Sequence, residues 1–144
     1  MRIRFVAVPL AFAALVVAAP SAAQAPRSTV MVKGSSFGRV LFDGRGFVLY
    51  GFTRDPRGKS ACSGACARAW PPYLVTSPVR AGLGVAARLL GTTRRGNGSL
   101  QVTYAGRPLY YYVGDRKPGQ ILCQNVTEFG GVWRVIRPTG SLVA

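Results

Sequence analysis

The chain has 144 residues, a formal net charge of +15 and no histidine. That length fits one domain. The missing imidazole excludes a Ser-His-Asp triad, a Cys-His pair and a Cys-x-x-Cys-His haem site, while nineteen lysines and arginines against four acids favour contact with polyanions.

Residues 1–23 read as an export signal. Arg2 and Arg4 open it, Phe5 to Ala19 form an apolar run, and Ser21-Ala22-Ala23 supply small residues for cleavage. The run is shorter than the roughly 20 apolar residues of a membrane span. No transmembrane segment is therefore expected after cleavage, and the expected location is periplasmic or secreted. Residues 24–36 read as a leader, although Val30-Met31-Val32 has strand character.

A β domain is expected over residues 37–137, with residues 138–144 as a tail. Phe37 to Phe42 and Phe47 to Phe52 read as a hairpin about the turn Asp43-Gly44-Arg45-Gly46. Asp55-Pro56-Arg57-Gly58 is a second turn signal. The alanines between Ser60 and Trp70 suit a short helical turn, which Pro71-Pro72 must stop. Arg88 to Thr93 and Ser99 to Tyr104 form another hairpin pattern about Gly96-Asn97-Gly98. Ala105 to Pro108 turns into Leu109 to Val113, and Val132 to Ile136 is a last strand candidate, reached around Gly130-Gly131.

The chain repeats itself. Leu49-Tyr50-Gly51-Phe52-Thr53-Arg54-Asp55 returns as Leu109-Tyr110-Tyr111-Tyr112-Val113-Gly114-Asp115. Gly58 precedes Cys62 by four positions as Gly119 precedes Cys123, and Trp70 and Trp133 close the two units. Repeat one spans about 37–75 and repeat two about 88–137. The fold class expected is mainly β: two hairpin-based repeats packed with approximate two-fold symmetry, with a helical turn near 60–70.

The repeat motif reads as construction. Asp55 and Asp115 precede turn-rich segments, where a carboxylate accepts backbone N–H groups. Tyr50, Phe52, Tyr110 and Tyr112 suit half-buried strand positions. The period of two turns Tyr111 away from Tyr110 and Tyr112, so Tyr111 is the expected exposed aromatic. Four acids are few for a hard cation. Three thiolates suffice for zinc by number alone, in a compartment that favours disulfides. No metal and no cofactor is implied. The cations are scattered, without the basic stripe of a nucleic-acid binder, so no specific nucleic-acid partner is expected. Cys62 and Cys66 stand close enough for a local bridge, and a bridge from Cys123 to either one stays open.

These motifs resemble a bacterial secreted-repeat family of unknown function, also described as predicted lipoproteins with a Tyr-x-aromatic-x-x-Asp motif. The residues that carry the resemblance are both motif copies, Gly58 through Cys66 with its Cys-x-Gly-x-Cys, Trp70-Pro71-Pro72 and Gly130-Gly131-Val132-Trp133. It implies a cell-envelope or secreted location and a duplicated domain, with no catalytic residues to transfer. It also implies a Cys62–Cys66 pair, which leaves Cys123 unpaired. No cysteine closes the leader, so lipid attachment does not carry over.

The functional reading is an exported envelope protein, a non-enzymatic binding or structural module whose basic surface contacts anionic envelope components. The competing class is a thiol-disulfide redox or electron-transfer-associated periplasmic protein, with Lys59 and Arg68 near the cysteines to favour a thiolate. Exposed β edges leave the oligomeric state open.

Overall fold

A computed structural model of the protein describes residues 29–144; the expected signal at 1–23 and residues 24–28 of the leader lie outside the described residues. Strands β1 (Thr29–Ser35) and β2 (Gly38–Asp43) form an antiparallel hairpin with Val30 opposite Asp43 and Ser35 opposite Gly38. β1 lies inside the stretch read as a leader. Val30 and Val32 are buried, so this segment belongs to the folded domain. The expected tail is also engaged: Leu142 bridges Ile136, and buried Val143 donates its N–H to Val135.

The turn expected at residues 43–46 is present, held by its own side chain. Asp43 accepts the N–H groups of Arg45 and Phe47 on one carboxylate oxygen, both at 2.9 Å. The returning arm is short. After the Phe42–Val48 bridge the chain leaves β2, and β3 (Tyr50–Phe52) takes a different ladder partner. Beyond it, α1 (Ala65–Ala69) fills the expected helical turn and stops before Pro71.

The second unit follows the same plan. β4 (Leu74–Val75) and β5 (Arg80–Ala81) are two-residue pieces, and a 3-10 turn at Ala87–Leu89 leads into β6 (Leu90–Arg94). β6 pairs antiparallel with β7 (Leu100–Tyr104), which continues into β8 (Arg107–Pro108). The two-residue loop Ala105-Gly106 has both φ angles positive, +51° and +76°, as the primed hairpin turns require. Phe129 and Gly130 make a second loop of this kind between β9 (Val126–Glu128) and β10 (Gly131–Val135). Three small sheets result, ordered β2-β1-β5, β3-β10-β9 and β4-β7-β6, with β8 joined to β7.

The halves are joined by exchange. The last strand of repeat two, β10, pairs with β3 of repeat one, placing Trp133 opposite Phe52 and Val135 opposite Tyr50. Reciprocally, the segment after Trp70 pairs with repeat two: Pro72 bridges Tyr110, and Tyr73 donates its N–H to Leu109 at 2.9 Å. The inner hairpin strands obey the same rule. Leu41 donates to the Ile136 carbonyl as Val102 donates to the Tyr73 carbonyl, both at 2.9 Å. At the centre Tyr50 and Tyr110 exchange both backbone hydrogen bonds, at 2.9 and 3.0 Å, so equivalent residues meet across the approximate two-fold axis.

Both apolar clusters draw on both repeats. One gathers Phe42, Tyr50, Phe52, Cys62, Trp70, Tyr110, Cys123 and Trp133. The other gathers Leu41, Leu49, Tyr73, Val102, Leu109 and Ile136. Neither repeat owns a core of its own.

Candidate functional site

The repeat motif assembles at the two-fold axis with its polar ends crossed. The Tyr50 hydroxyl donates to Asp115 Oδ2 at 2.7 Å, and the Tyr110 hydroxyl donates to Asp55 Oδ2 at 2.8 Å. Each tyrosine thus serves the aspartate of the opposite repeat. The other carboxylate oxygen holds the turn that follows: Asp55 Oδ1 accepts the Ala61 N–H at 2.7 Å, and Asp115 Oδ1 accepts the Leu122 N–H at 2.9 Å. These donors sit one residue before Cys62 and Cys123, so the same contact recurs in both repeats.

Burial dominates the electrostatics. It raises both aspartates above the ordinary carboxylate range, and the tyrosine and backbone hydrogen bonds return part of that shift. For Asp55, the charges of Arg95 and Arg107 also pull downward. Burial likewise raises the phenols of Tyr50 and Tyr110, with the adjacent carboxylates contributing. Both phenols therefore stay protonated and act as donors at neutral pH.

Every acid in the chain is treated alike. Asp43, fully buried, accepts from the Tyr111 hydroxyl at 3.0 Å and pairs with Arg45 at 2.8 Å. Glu128 accepts from Trp70 Nε1 at 2.8 Å. All four carboxylates thus receive a hydrogen bond from an aromatic side chain. Tyr111 is not the exposed aromatic expected from strand alternation. Tyr111 does turn away from Tyr110 and Tyr112, which pack with the Trp70–Trp133 cluster, but its own side is covered by the second apolar cluster. Tyr111 leans on Tyr73, with ring centroids 5.3 Å apart, and reaches Asp43.

The aromatic rings form a column. Trp70 and Trp133 stack at 4.1 Å and 3°, and Phe52 stacks on the far side of Trp133 at 4.2 Å. Tyr50 meets Trp70 edge-on and Tyr110 meets Trp133 edge-on, again as symmetric counterparts. Tyr112 tilts against Trp70 at 4.8 Å. The indoles differ in one respect: Trp133 Nε1 is buried with no hydrogen-bond partner.

Cys62 and Cys66 form a disulfide with Cα atoms 5.3 Å apart, while Cys123 is a buried free thiol in the same apolar cluster. Burial raises the Cys123 thiol, partly offset by the neighbouring Tyr112 hydroxyl, so it is poorly disposed to act as a thiolate. Among the described residues no three His, Cys, Asp or Glu side chains gather to hold a metal ion. No described helix is long and apolar enough to cross a membrane.

Tyr50, Phe52, Tyr110 and Tyr112 converge on this column, whereas Leu49, Leu109 and Tyr111 pack in the other cluster. Sequence reasoning missed the crossing of the Tyr–Asp pairs, the Trp70–Trp133 stack and the Glu128 contact. The signal available was the identical Tyr-to-Asp spacing in the two copies.

A family model described as a secreted repeat of unknown function matches residues 31–73 and 91–137, more than half of the chain. The chain belongs to this family. The two matched segments are the two halves that exchange strands, and the secreted repeat takes its position at the axis from the Leu-Tyr strands. Searches of the curated proteins and of the solved structures find no significant match to the chain.

Proposed function

We propose that this secreted repeat is a non-enzymatic cell-envelope module, periplasmic or secreted, that docks through a cationic surface on anionic envelope components. The observation that carries this reading is the fate of the four carboxylates. Each is taken up by an aromatic donor, and Arg45–Asp43 is the one ion pair among the described residues. Lys33, Arg39, Arg54, Arg57, Lys59, Arg68, Arg80, Arg88, Arg94, Arg116, Lys117 and Arg137 are exposed without a carboxylate partner. A surface of that kind attracts polyanions over about a Debye length and loses its grip as salt rises. The motif residues support the same reading: Tyr50, Tyr110, Asp55 and Asp115 have used their hydrogen-bonding capacity on one another and on turns.

Co-sedimentation of the mature protein with phosphatidylglycerol-containing vesicles tests it. Binding at about 10 mM salt, where the screening length is about 30 Å, should fall steeply by about 150 mM. No binding at low salt overturns the proposal. The thiol-redox alternative has one observation in its favour, the disulfide and the free thiol in one cluster. Mass mapping after partial reduction decides it: a bridge that migrates to Cys123 supports redox exchange, and a bridge confined to Cys62–Cys66 opposes it.

A further inference from the structure

The two copies of the repeat provide an internal control. What the scaffold itself requires recurs in both copies, whereas a costly feature found in one copy has a separate reason. The Leu49 N–H bonds the Leu41 carbonyl as the Leu109 N–H bonds the Val102 carbonyl, so Leu41 corresponds to Val102. The hairpin registers then match Val40 to Gln101, Gly34 to Arg94 and Ser35 to Arg95. The shared Gly-to-Cys spacing matches Gln120 to Lys59 and Ile121 to Ser60. One copy therefore places three cations, a hydroxyl and a buried amide where the other has Gly34, Ser35, Val40, Gln120 and Ile121.

Gln101 is the costly member. It is fully buried at a position that valine fills in the other copy, and a buried amide is tolerated only when hydrogen-bonded. Its Nε2 donates to the Leu109 carbonyl at 2.8 Å, and its Oε1 accepts from Arg95 Nη1 at 2.6 Å. Arg95 also donates to Ser60 Oγ at 2.9 Å and to the Cys62 carbonyl at 2.6 Å. Three of the five guanidinium N–H groups are thereby fixed, which leaves Nε–H, one Nη2–H and the charge itself. No carboxylate forms an ion pair with Arg95, although the Asp55 carboxylate lies within range of its charge. Lys59, Ser63, Arg94 and Gly96 complete a recess of about 100 Å³ around it, and the Cys62–Cys66 bridge anchors the Ser63 loop at its rim.

We propose that this recess binds a phosphate group, either free inorganic phosphate or the phosphomonoester headgroup of an envelope lipid. The site rests on the docking function proposed above and gives it a specific centre. Arg95 is an oriented, planar donor, and Lys59 and Arg94 are exposed cations, Arg94 also donating to the Gly98 carbonyl at 2.8 Å. Together with the Ser63 hydroxyl they surround a small volume suited to a compact oxyanion of more than one negative charge.

The test uses Lys59→Gln/Arg94→Gln, with Arg39→Gln/Arg137→Gln as a control of equal charge change. Arg95 is left in place because it supports the Cys62 loop. Backbone amide NMR follows titration with inorganic phosphate, and co-sedimentation follows phosphatidylcholine vesicles doped with phosphatidic acid or with phosphatidylglycerol. Saturable shifts are expected at Ser60, Ser63 and Gly96. Affinity for inorganic phosphate should drop at least about ten-fold in Lys59→Gln/Arg94→Gln, the worth of one charged hydrogen bond, and by much less in the control, whose cations belong to the distributed surface alone. A response to inorganic phosphate identifies the free ion as sufficient. A response confined to phosphatidic acid identifies the lipid headgroup. Equal losses in both variants, or vesicle binding without localised shifts, overturn the recess and leave the distributed cationic surface standing. Absence of vesicle binding at low salt overturns the docking function, and absence of phosphate shifts as well overturns the recess.

Discussion

Asp55 and Asp115 sit at the axis as enclosed acceptors, and this placement has a pH signature. Both are raised above the ordinary carboxylate value, with burial as the first cause. A raised folded-state value means that the folded protein binds the proton more tightly than the unfolded chain. The contribution of these groups to stability therefore grows as pH falls from neutral through their folded-state values, and levels off below the ordinary carboxylate value. Urea unfolding between pH 7 and pH 4 should show the wild type gaining on Asp55→Asn/Asp115→Asn as acid is added; a constant difference would contradict this. The tyrosines are equally testable. Tyr50→Phe and Tyr110→Phe each leave a carboxylate one donor short, at a cost of about 1–3 kcal/mol by urea denaturation. The tryptophans should not match. Trp70→Phe loses the Glu128 hydrogen bond, whereas Trp133→Phe removes an unpaired N–H. Trp70→Phe should therefore cost about 1 kcal/mol more by urea denaturation.

At the scale of elements, the disulfide closes a short loop. Cys62 and Cys66 are four apart in sequence, so the chain-entropy model assigns the bridge only about 2 kcal/mol. Reduction should lower the unfolding midpoint while leaving the far-ultraviolet spectrum intact below it; complete unfolding on reduction would show that the bridge does more. The β6–β7 hairpin was legible because its strands and turn are contiguous, and the Asp43 turn was legible from Asp-Gly-Arg-Gly. The partner of β3 was not. A period of two assigns a face to a residue and says nothing of which distant strand it meets. β10 lies some eighty residues after β3, so a hairpin with the nearer Phe37–Phe42 segment was the natural expectation. β1 was legible only at Val30-Met31-Val32, because the flanking Thr29 and Ser35 are residues common in linkers. The crossed Tyr–Asp pairs needed the symmetry of pairing and not only the repeat of letters, because a motif read along one chain suggests that each tyrosine serves its own aspartate.

For the whole molecule, strand exchange makes folding a property of both repeats together. Residues 29–75 lack β10, and residues 88–144 lack the Pro72–Tyr73 segment, so each piece retains exposed apolar faces and unpaired strand edges. Each fragment alone should give a collapsed amide spectrum in NMR, and mixing should restore the dispersed spectrum of the intact protein. Independent folding of either fragment would contradict the exchanged architecture. A polypeptide emerges N-terminus first, and here β3 waits some eighty residues for its ladder partner β10. Until Cys123 appears, Cys62 and Cys66 are the only two thiols in the chain. The order of arrival thus favours the short bridge before Cys123 is present to compete, so the timing of synthesis protects a pairing that the final geometry alone does not have to select.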